Sequence, residues 1–382
     1  AAMLRVTDAY GPIPYSKMQN GTFSVPYDSQ RDVYMAMIDD LDAAMETLYT
    51  FASAGDGILM RDFDISSFKG DSRLWVSFAN TLKLRMAIRM SGVEPEARRI
   101  AEEAVRDMAT YGLIDANAEN LSFSSDSRQN PFYTQATSTS WQDLRSNASI
   151  VMYMNAYEDP RRASYFSKSG YDGIYVGVRA GIQNVTPTDY ATYSYPLFAE
   201  KDPVPVMYAS ESWFLRAEGA LLGWTMGDTA ENLYNTGVKT SLELWGNGSS
   251  YETYIASETA PALSYADPRN KHNVSDFGTA VSVKWADDGN ELVRIITQKW
   301  IANHMIGHEA WADVRRTGYP RLLQVVNNLS GGMWGNVDSS KGMRRLHYPQ
   351  SEYDNNRENV LKGVELLGGS DLHGTDVWWA KK

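Results

Sequence analysis

The chain of 382 residues carries 36 Lys+Arg against 47 Asp+Glu, a net charge of −11, with 43% hydrophobic and 22% charged residues. That is a globular composition, neither disordered nor fibrous, and its acidity argues against general binding to nucleic acid. No apolar run approaches the ~18 residues that span a bilayer, and the absence of cysteine removes disulfides, thiolate nucleophiles and Cys-type metal sites together.

Residues 1–28 read as extended and turn-rich, with Tyr10-Gly11-Pro12-Ile13-Pro14-Tyr15 and then Asn20-Gly21. A helix is predicted from Ser29. Asp32 follows three residues on, as in a capping box, and Val33, Met37, Leu41, Met45 and Leu48 recur at helical spacing. Asp71 is placed to cap the next helix, whose stripe is Trp75, Phe78, Ala79, Leu82 and Met86 and whose stop is Gly92. Pro95 opens a third, running through Ile100, Ala104, Val105 and Met108 to Gly112. A linker this short makes the two pack antiparallel.

Residues 113–205 lose helical periodicity except around 142–157, and are rich in Ser, Thr, Asn, Tyr and Gly. They predict long loops with short strands, an excursion that on a helical scaffold is usually functional or else disordered. Helices resume over 211–222 and, from an Asp228/Glu231 start, through Leu233, Val238, Leu242 and Trp245 to Gly246. A mostly looped stretch with a short helix near 251–258 follows. A third helical block covers about 292–302 and 308–316, broken at Gly307 and stopped by Gly318 and Pro320. The tail is Gly-rich, with a helix near 356–361. The units at 71–112 and 210–246 are each about 40 residues, near the tetratricopeptide period. The predicted fold class is therefore all-α, an irregular tetratricopeptide-like scaffold of helical pairs with long loop-rich regions and a few short strands. The scaffold is expected over about 29–112, 210–246 and 290–320, within one unit spanning 1–382.

Motifs for catalysis fail on inspection. No phosphate-cradling glycine loop and no G-x-S-x-G elbow occur. His304 and His308 have helical ligand spacing, but Met305 stands where a zincin needs Glu, which leaves them as core or surface histidines. Asp62-x-Asp64-x-Ser66 opens like a calcium loop, yet Ser67 and Arg73 occupy positions that need Gly and Glu. A structural calcium elsewhere stays open, and no other cofactor is expected. The paired carboxylates Asp39/Asp40, Glu102/Glu103 and Asp287/Asp288 sit side by side and do not face a common cleft.

Asp64-Ile-Ser-Ser-Phe-Lys-Gly-Asp-Ser-Arg-Leu-Trp-Val-Ser-Phe-Ala-Asn-Thr-Leu-Lys-Leu-Arg-Met-Ala-Ile-Arg89 resembles a signature helix of the SusD/RagB family of Bacteroidetes surface lipoproteins. Four further stretches, in the family's order, are similar to its motifs: Thr7-Asp8-Ala9-Tyr10-Gly11 with Pro14-Tyr15; Glu211, Phe214, Ala217, Glu218 and Gly223; Gln298-Lys299-Trp300, Glu309-Ala310-Trp311 and Arg315-Arg316-Thr317-Gly318-Tyr319-Pro320; and Tyr348-Pro349, Glu352 and Asn356 with Trp378-Trp379. The resemblance implies an all-α, tetratricopeptide-like fold with a loop-rich face. It also implies a non-enzymatic role at the outer-membrane surface, capturing glycans for a SusC-like TonB-dependent transporter, or in some members peptides. The family's signal peptide, lipidated Cys and first helices precede its Thr-Asp-x-Tyr-Gly segment. Here that segment begins near Val6, so the chain is expected to lack a member's N-terminal part, including the lipid anchor that would be its one link to the membrane.

The family's binding residues are loop aromatics that vary between members, so no position carries over by motif. Sugar recognition needs exposed rings beside amide, carboxylate or guanidinium groups. Phe132, Tyr133 and Trp141, near Arg128, Asn130 and Gln142, meet that description, as do Tyr171 and Tyr175 beside Asp172, and Trp334 near Asn336. The alternative is that these rings pin long loops to the scaffold. The competing functions are oligopeptide capture on the same fold and, less well supported, a helical glycosidase.

Overall fold

A computed structural model describes residues 1–18, 21, 24–55, 57–59, 61–125, 129–136 and 144–381. Among the described residues it is mostly helical, with two short two-stranded antiparallel sheets. The first helix was not expected: α1 spans Ala2–Tyr10 where the sequence reads as extended. Its buried positions are Leu4, Thr7 and Asp8, two of them polar, so no apolar stripe announces it. Asp8 accepts from Tyr34, from Arg89 and, at 2.8 Å, from Trp379 Nε1, which are distant in sequence.

α2 (Gln30–Ala54) starts where Ser29 predicts. Ser29 Oγ accepts from the Asp32 amide at 3.1 Å, and the Asp32 carboxylate takes the Ser29 hydroxyl at 2.7 Å. α3 (Ser72–Arg89) begins at Asp71, which accepts from the Arg73 amide at 2.8 Å and the Leu74 amide at 3.4 Å. Asp71→Ala should cost about 1 kcal/mol in denaturant unfolding, the usual worth of such a cap; no measurable change would show the helix start held by packing alone. α3 lies against α2, against α4 (Ala97–Arg106), whose chain continues into the single turn α5 (Met108–Tyr111), and against α9 (Ala209–Leu221). With neighbours on several sides, 76–89 is buried all round, not along one stripe. Asn80, mid-helix and 1% exposed, donates to the carbonyls of Ala104 and Gly112 at 2.9 and 2.8 Å, which satisfies an amide that burial would otherwise penalise.

The loop-rich stretch contains β1 (Leu121–Phe123), α6 (Pro131–Ala136), α7 (Ala148–Ala156), α8 (Arg162–Tyr165) and β2 (Val204–Met207), with β1 antiparallel to β2. Next come α9 (Ala209–Leu221) and α10 (Ala230–Leu244), packed side by side along their lengths. The cap of α10 is Thr229, one residue beyond the expected Asp228, and its side chain accepts from the Asn232 amide. After α11 (Tyr251–Ile255), β3 (Ala262–Tyr265) and β4 (Val274–Thr279) form the second antiparallel pair, a hairpin. α12 (Glu291–Ala302) then packs on α9 and α10. α13 (Gly307–Thr317) ends at Gly318, whose φ of 84° suits the left-handed cap. α14 (Gln350–Asn355) and α15 (Arg357–Leu367) close the chain, a longer helical tail than the sequence suggests.

The charged positions of the signature blocks point inward. Glu211 grips Arg85 through two contacts at 2.7 and 2.8 Å, Lys299 pairs with Asp313 at 2.9 Å, and Arg316 engages Glu218. Tyr348 donates to the Pro12 carbonyl at 2.7 Å. These motif residues therefore join α1, α3, α9, α12, α13 and the tail from inside. Among the described residues, no helix is long and apolar enough to cross a membrane.

Candidate ligand-binding site

The ring-bearing residues named from sequence fall in separate places, and Arg128, Trp141 and Gln142 lie outside the described residues. Asn130 is an α6 cap: it is 1% exposed, its Oδ1 accepts from the Phe132 and Tyr133 amides, and its Nδ2 donates to the Asp202 carbonyl at 2.9 Å. Its amide is spent on the loop's own backbone. Half-buried Phe132 stacks on Phe198 with centroids 5.5 Å apart. Phe132 and Tyr133 thus share one turn, stitched to segment 198–202.

Tyr171 and Tyr175 flank a tight turn in which Asp172 and Gly173 have positive φ. The turn sends them to different neighbours. Tyr171 meets Tyr193 edge-on at 5.6 Å, and Tyr193 packs on Tyr190. Arg269 lies over Tyr190 and pairs with Asp189 at 2.6 Å. Burial pushes the Asp267 carboxyl up, but hydrogen bonds from Tyr193 and from the amides of Arg269, Lys271 and His272 outweigh it and hold the group below its ordinary range. This cluster pins the loop to the β3–β4 hairpin.

Tyr175 instead lines a cavity of about 370 Å³ between α7, α8, the 174–177 stretch and the end of β3. Asn155 Nδ2 fixes the Tyr175 carbonyl at 2.9 Å. Arg162 lies with its guanidinium carbon 5.7 Å from the Tyr175 ring centre, its Nε on the Asp159 carbonyl at 3.1 Å. Exposed Ser264 adds a hydroxyl at the rim. Gly177 forms part of the wall because the Asn147 carbonyl carbon and oxygen would lie 2.6 Å from any Cβ there. The cavity thus combines a ring, a guanidinium, an amide and a hydroxyl, the set that holds a small polar ligand. Sequence reading named only Tyr175 of this group. The Arg161-Arg162 pair gives no hint of their division of labour: Arg161 is wholly buried on Asp159, Ser241 and Gln298, while its neighbour faces the cavity.

Trp334 stands apart, stacked on His347 at 3.5 Å, and His347 Nδ1 meets His373 Nε2 at 2.7 Å. Burial, helped by His373, holds the His347 pKa below its ordinary value. His304 lies in the core, stacked on Tyr165 at 4.0 Å, separate in role from His308 beside Glu309. Asp64, the start of the failed calcium loop, accepts from the Ser66 and Gly70 amides and from Trp75 Nε1. Among the described residues, no three His, Cys, Asp or Glu side chains converge as a metal-binding group.

The family model described as SusD-like, "Susd and RagB outer membrane lipoprotein", matches residues 1–380. Solved structures agree with it. A chitin-binding SusD homolog from Flavobacterium johnsoniae is 40% identical with a TM-score of 0.92, covering 100% of this chain and 78% of that one. A SusD homolog from Bacteroides uniformis is 42% identical with a TM-score of 0.91, covering 100% and 79%. A SusD-like protein from Bacteroides thetaiotaomicron is 40% identical with a TM-score of 0.89, again covering 100% and 79%. No curated protein matches.

Proposed function

Because the chain belongs to the SusD/RagB family of outer-membrane lipoproteins, we propose that it captures oligosaccharides at the bacterial surface and passes them to a SusC-like TonB-dependent transporter. Proteins of this family are non-catalytic binding proteins of the outer-membrane surface that serve TonB-dependent glycan uptake. In this reading 1–382 acts as one unit, its helical pairs forming a tetratricopeptide-like rack for the loops, and attachment to the membrane is by the family's N-terminal lipid. Phe132, Tyr133, Trp141, Tyr171, Tyr175 and Trp334 are retained as candidate platforms, with Arg128 and Gln142 as polar neighbours; Asn130, whose amide caps α6, is not.

The observation that carries the reading is the cavity at Tyr175. The signature charges are consumed inside the scaffold, whereas this ring, Arg162 and Ser264 surround open space on the loop-rich side. A ring face receives the C–H side of a sugar while the polar groups take its hydroxyls. Chitin binding in the Flavobacterium relative makes chito-oligosaccharides the first ligands to try.

A glycan panel titrated by calorimetry should yield at least one binder of modest affinity, since an open site excludes little water. Tyr175→Ala should weaken that binder by roughly three- to tenfold, the scale of a lost stacking contact. Unchanged binding would move the site to another platform, with Trp141→Ala the next variant. A panel in which peptides bind and no glycan does would replace glycan capture with peptide capture.

A further inference from the structure

Resting on the capture reading, we propose that the Tyr175 cavity selects a negatively charged oligosaccharide, one bearing a carboxylate or sulfate, through the guanidinium of Arg162. Arg162 is the single charged side chain among the described residues that line the cavity, and no described Asp or Glu lines it. Among the described residues no carboxylate pairs with Arg162. Its Nε is held by the Asp159 carbonyl, Nη1 reaches Asn155 Oδ1 only at 3.5 Å, and no hydrogen bond to a described residue engages Nη2.

A guanidinium without a carboxylate is not unique to Arg162: among the described residues Arg73, Arg179 and Arg315 also hydrogen-bond only to backbone carbonyls. What separates Arg162 from them is that it lines the cavity, and other arginines of this acidic chain, with its net charge of −11, are paired. Arg161, one residue away, pairs with Asp159 at 2.6 Å; Arg269 pairs with Asp189 and Arg294 with Asp288. An uncompensated guanidinium beside a cavity of small-ligand size leaves a planar pair of donors for an oxyanion, the geometry arginine fits better than lysine. The Asp159 carbonyl and the Tyr175 ring fix its plane from two sides, so little side-chain freedom is left to lose on binding. The acid group of the sugar would meet Arg162, its ring face would lie on Tyr175, and its remaining hydroxyls would meet Asn155 and Ser264. Neutral sugars can use the ring and the amides but leave the cation unsatisfied, which is the source of discrimination.

The test titrates three oligosaccharides of similar length into the full chain: an oligogalacturonide, a sulfated galactan fragment and a neutral galacto-oligosaccharide. The expected result is that at least one anionic ligand binds at least tenfold tighter than the neutral one, and that its affinity falls as salt is raised. The carboxylated and sulfated arms tell which acid group is preferred. Arg162→Gln should weaken the anionic ligand by roughly 10- to 100-fold, the loss of a charge-assisted contact, and weaken the neutral ligand much less, so that the preference between the two collapses. Because Arg162 also holds the Asp159 carbonyl, Ser264→Trp provides a second variant. It fills the rim from an exposed position, and should weaken the anionic ligand without altering the unfolding midpoint. If the neutral ligand binds as tightly as both acids, or Arg162→Gln weakens all alike, the acid assignment is overturned while capture stands. If no glycan of any class binds, both fall together.

Discussion

Glu309→Gln is expected to destabilise the fold by about 3–5 kcal/mol, the cost of breaking a buried ion network from one side. Glu309 is 1% exposed, with one carboxylate oxygen on Arg85 at 3.3 Å and the other on Arg89. Arg85 is also held by Glu211, Arg89 also by Asp8, and half-buried Arg5 feels Glu309 and Glu211. Three guanidiniums thus face three carboxylates, and the amide variant leaves three against two. Burial pushes the Glu309 carboxyl up, yet Arg85 and Arg89 hold it well below the usual carboxylate range, which states the same balance from the acid's side. The network joins α1, α3, α9 and α13, so its loss should lower the whole unfolding midpoint and not loosen one loop. Urea unfolding with an unchanged slope measures it. Glu96→Gln, which removes an exposed partner of Arg99, is the control and should cost less than about 1 kcal/mol. A Glu309→Gln loss as small as the control's would mean the network is kept for something other than stability.

The same network explains what could and could not be read from the sequence. α2 was legible because Val33, Met37 and Met45 are buried on one face and Asp39 and Asp40 stay in water. α3 was legible as a helix but not as a central one. Lys83, Arg85 and Arg89 resemble a solvated face until Asp42, Glu211, Glu309 and Asp8 arrive from other elements. α1 was missed for the complementary reason, because its inward face is polar and its partners lie far along the chain. The family resemblance supplied what periodicity could not, since the motif blocks are the network's own residues. The cavity was almost illegible. Tyr175 could be named as an aromatic in a polar loop, but Arg162, Asn155 and Ser264 belong to α8, α7 and β3, and nothing local distinguishes Arg162 from Arg161. Asn130 looked like a sugar partner because a cap and a ligand contact ask for the same side chain.

Acidification should expose a second large term, carried by His304. Its ring stacks on Tyr165 at 4.0 Å and meets Phe166 and Trp245 edge-on, and burial depresses its pKa from 6.5 to about 3. The unfolded chain therefore binds a proton below about pH 6.5 that the folded chain refuses until about pH 3. Between those values the unfolded state holds more protons, so stability rises with pH and is lost as pH falls, by about 1.4 kcal/mol per unit. The neutral ring's contribution is complete above pH 6.5. Many buried carboxylates also titrate in acid, so the measurement is a difference. Unfolding free energies of the parent and of His304→Phe, which keeps the aromatic stack, are compared from pH 7.5 to 4.5. Relative to pH 7.5, the parent should lose about 2 kcal/mol more than the variant by pH 5, while the shared carboxylate terms cancel. Parallel curves across that range would mean that His304 reaches solvent in the folded state, and with it that the ring cluster of Tyr165, Phe166 and Trp245 beneath the α8 end of the cavity is looser than its packing indicates.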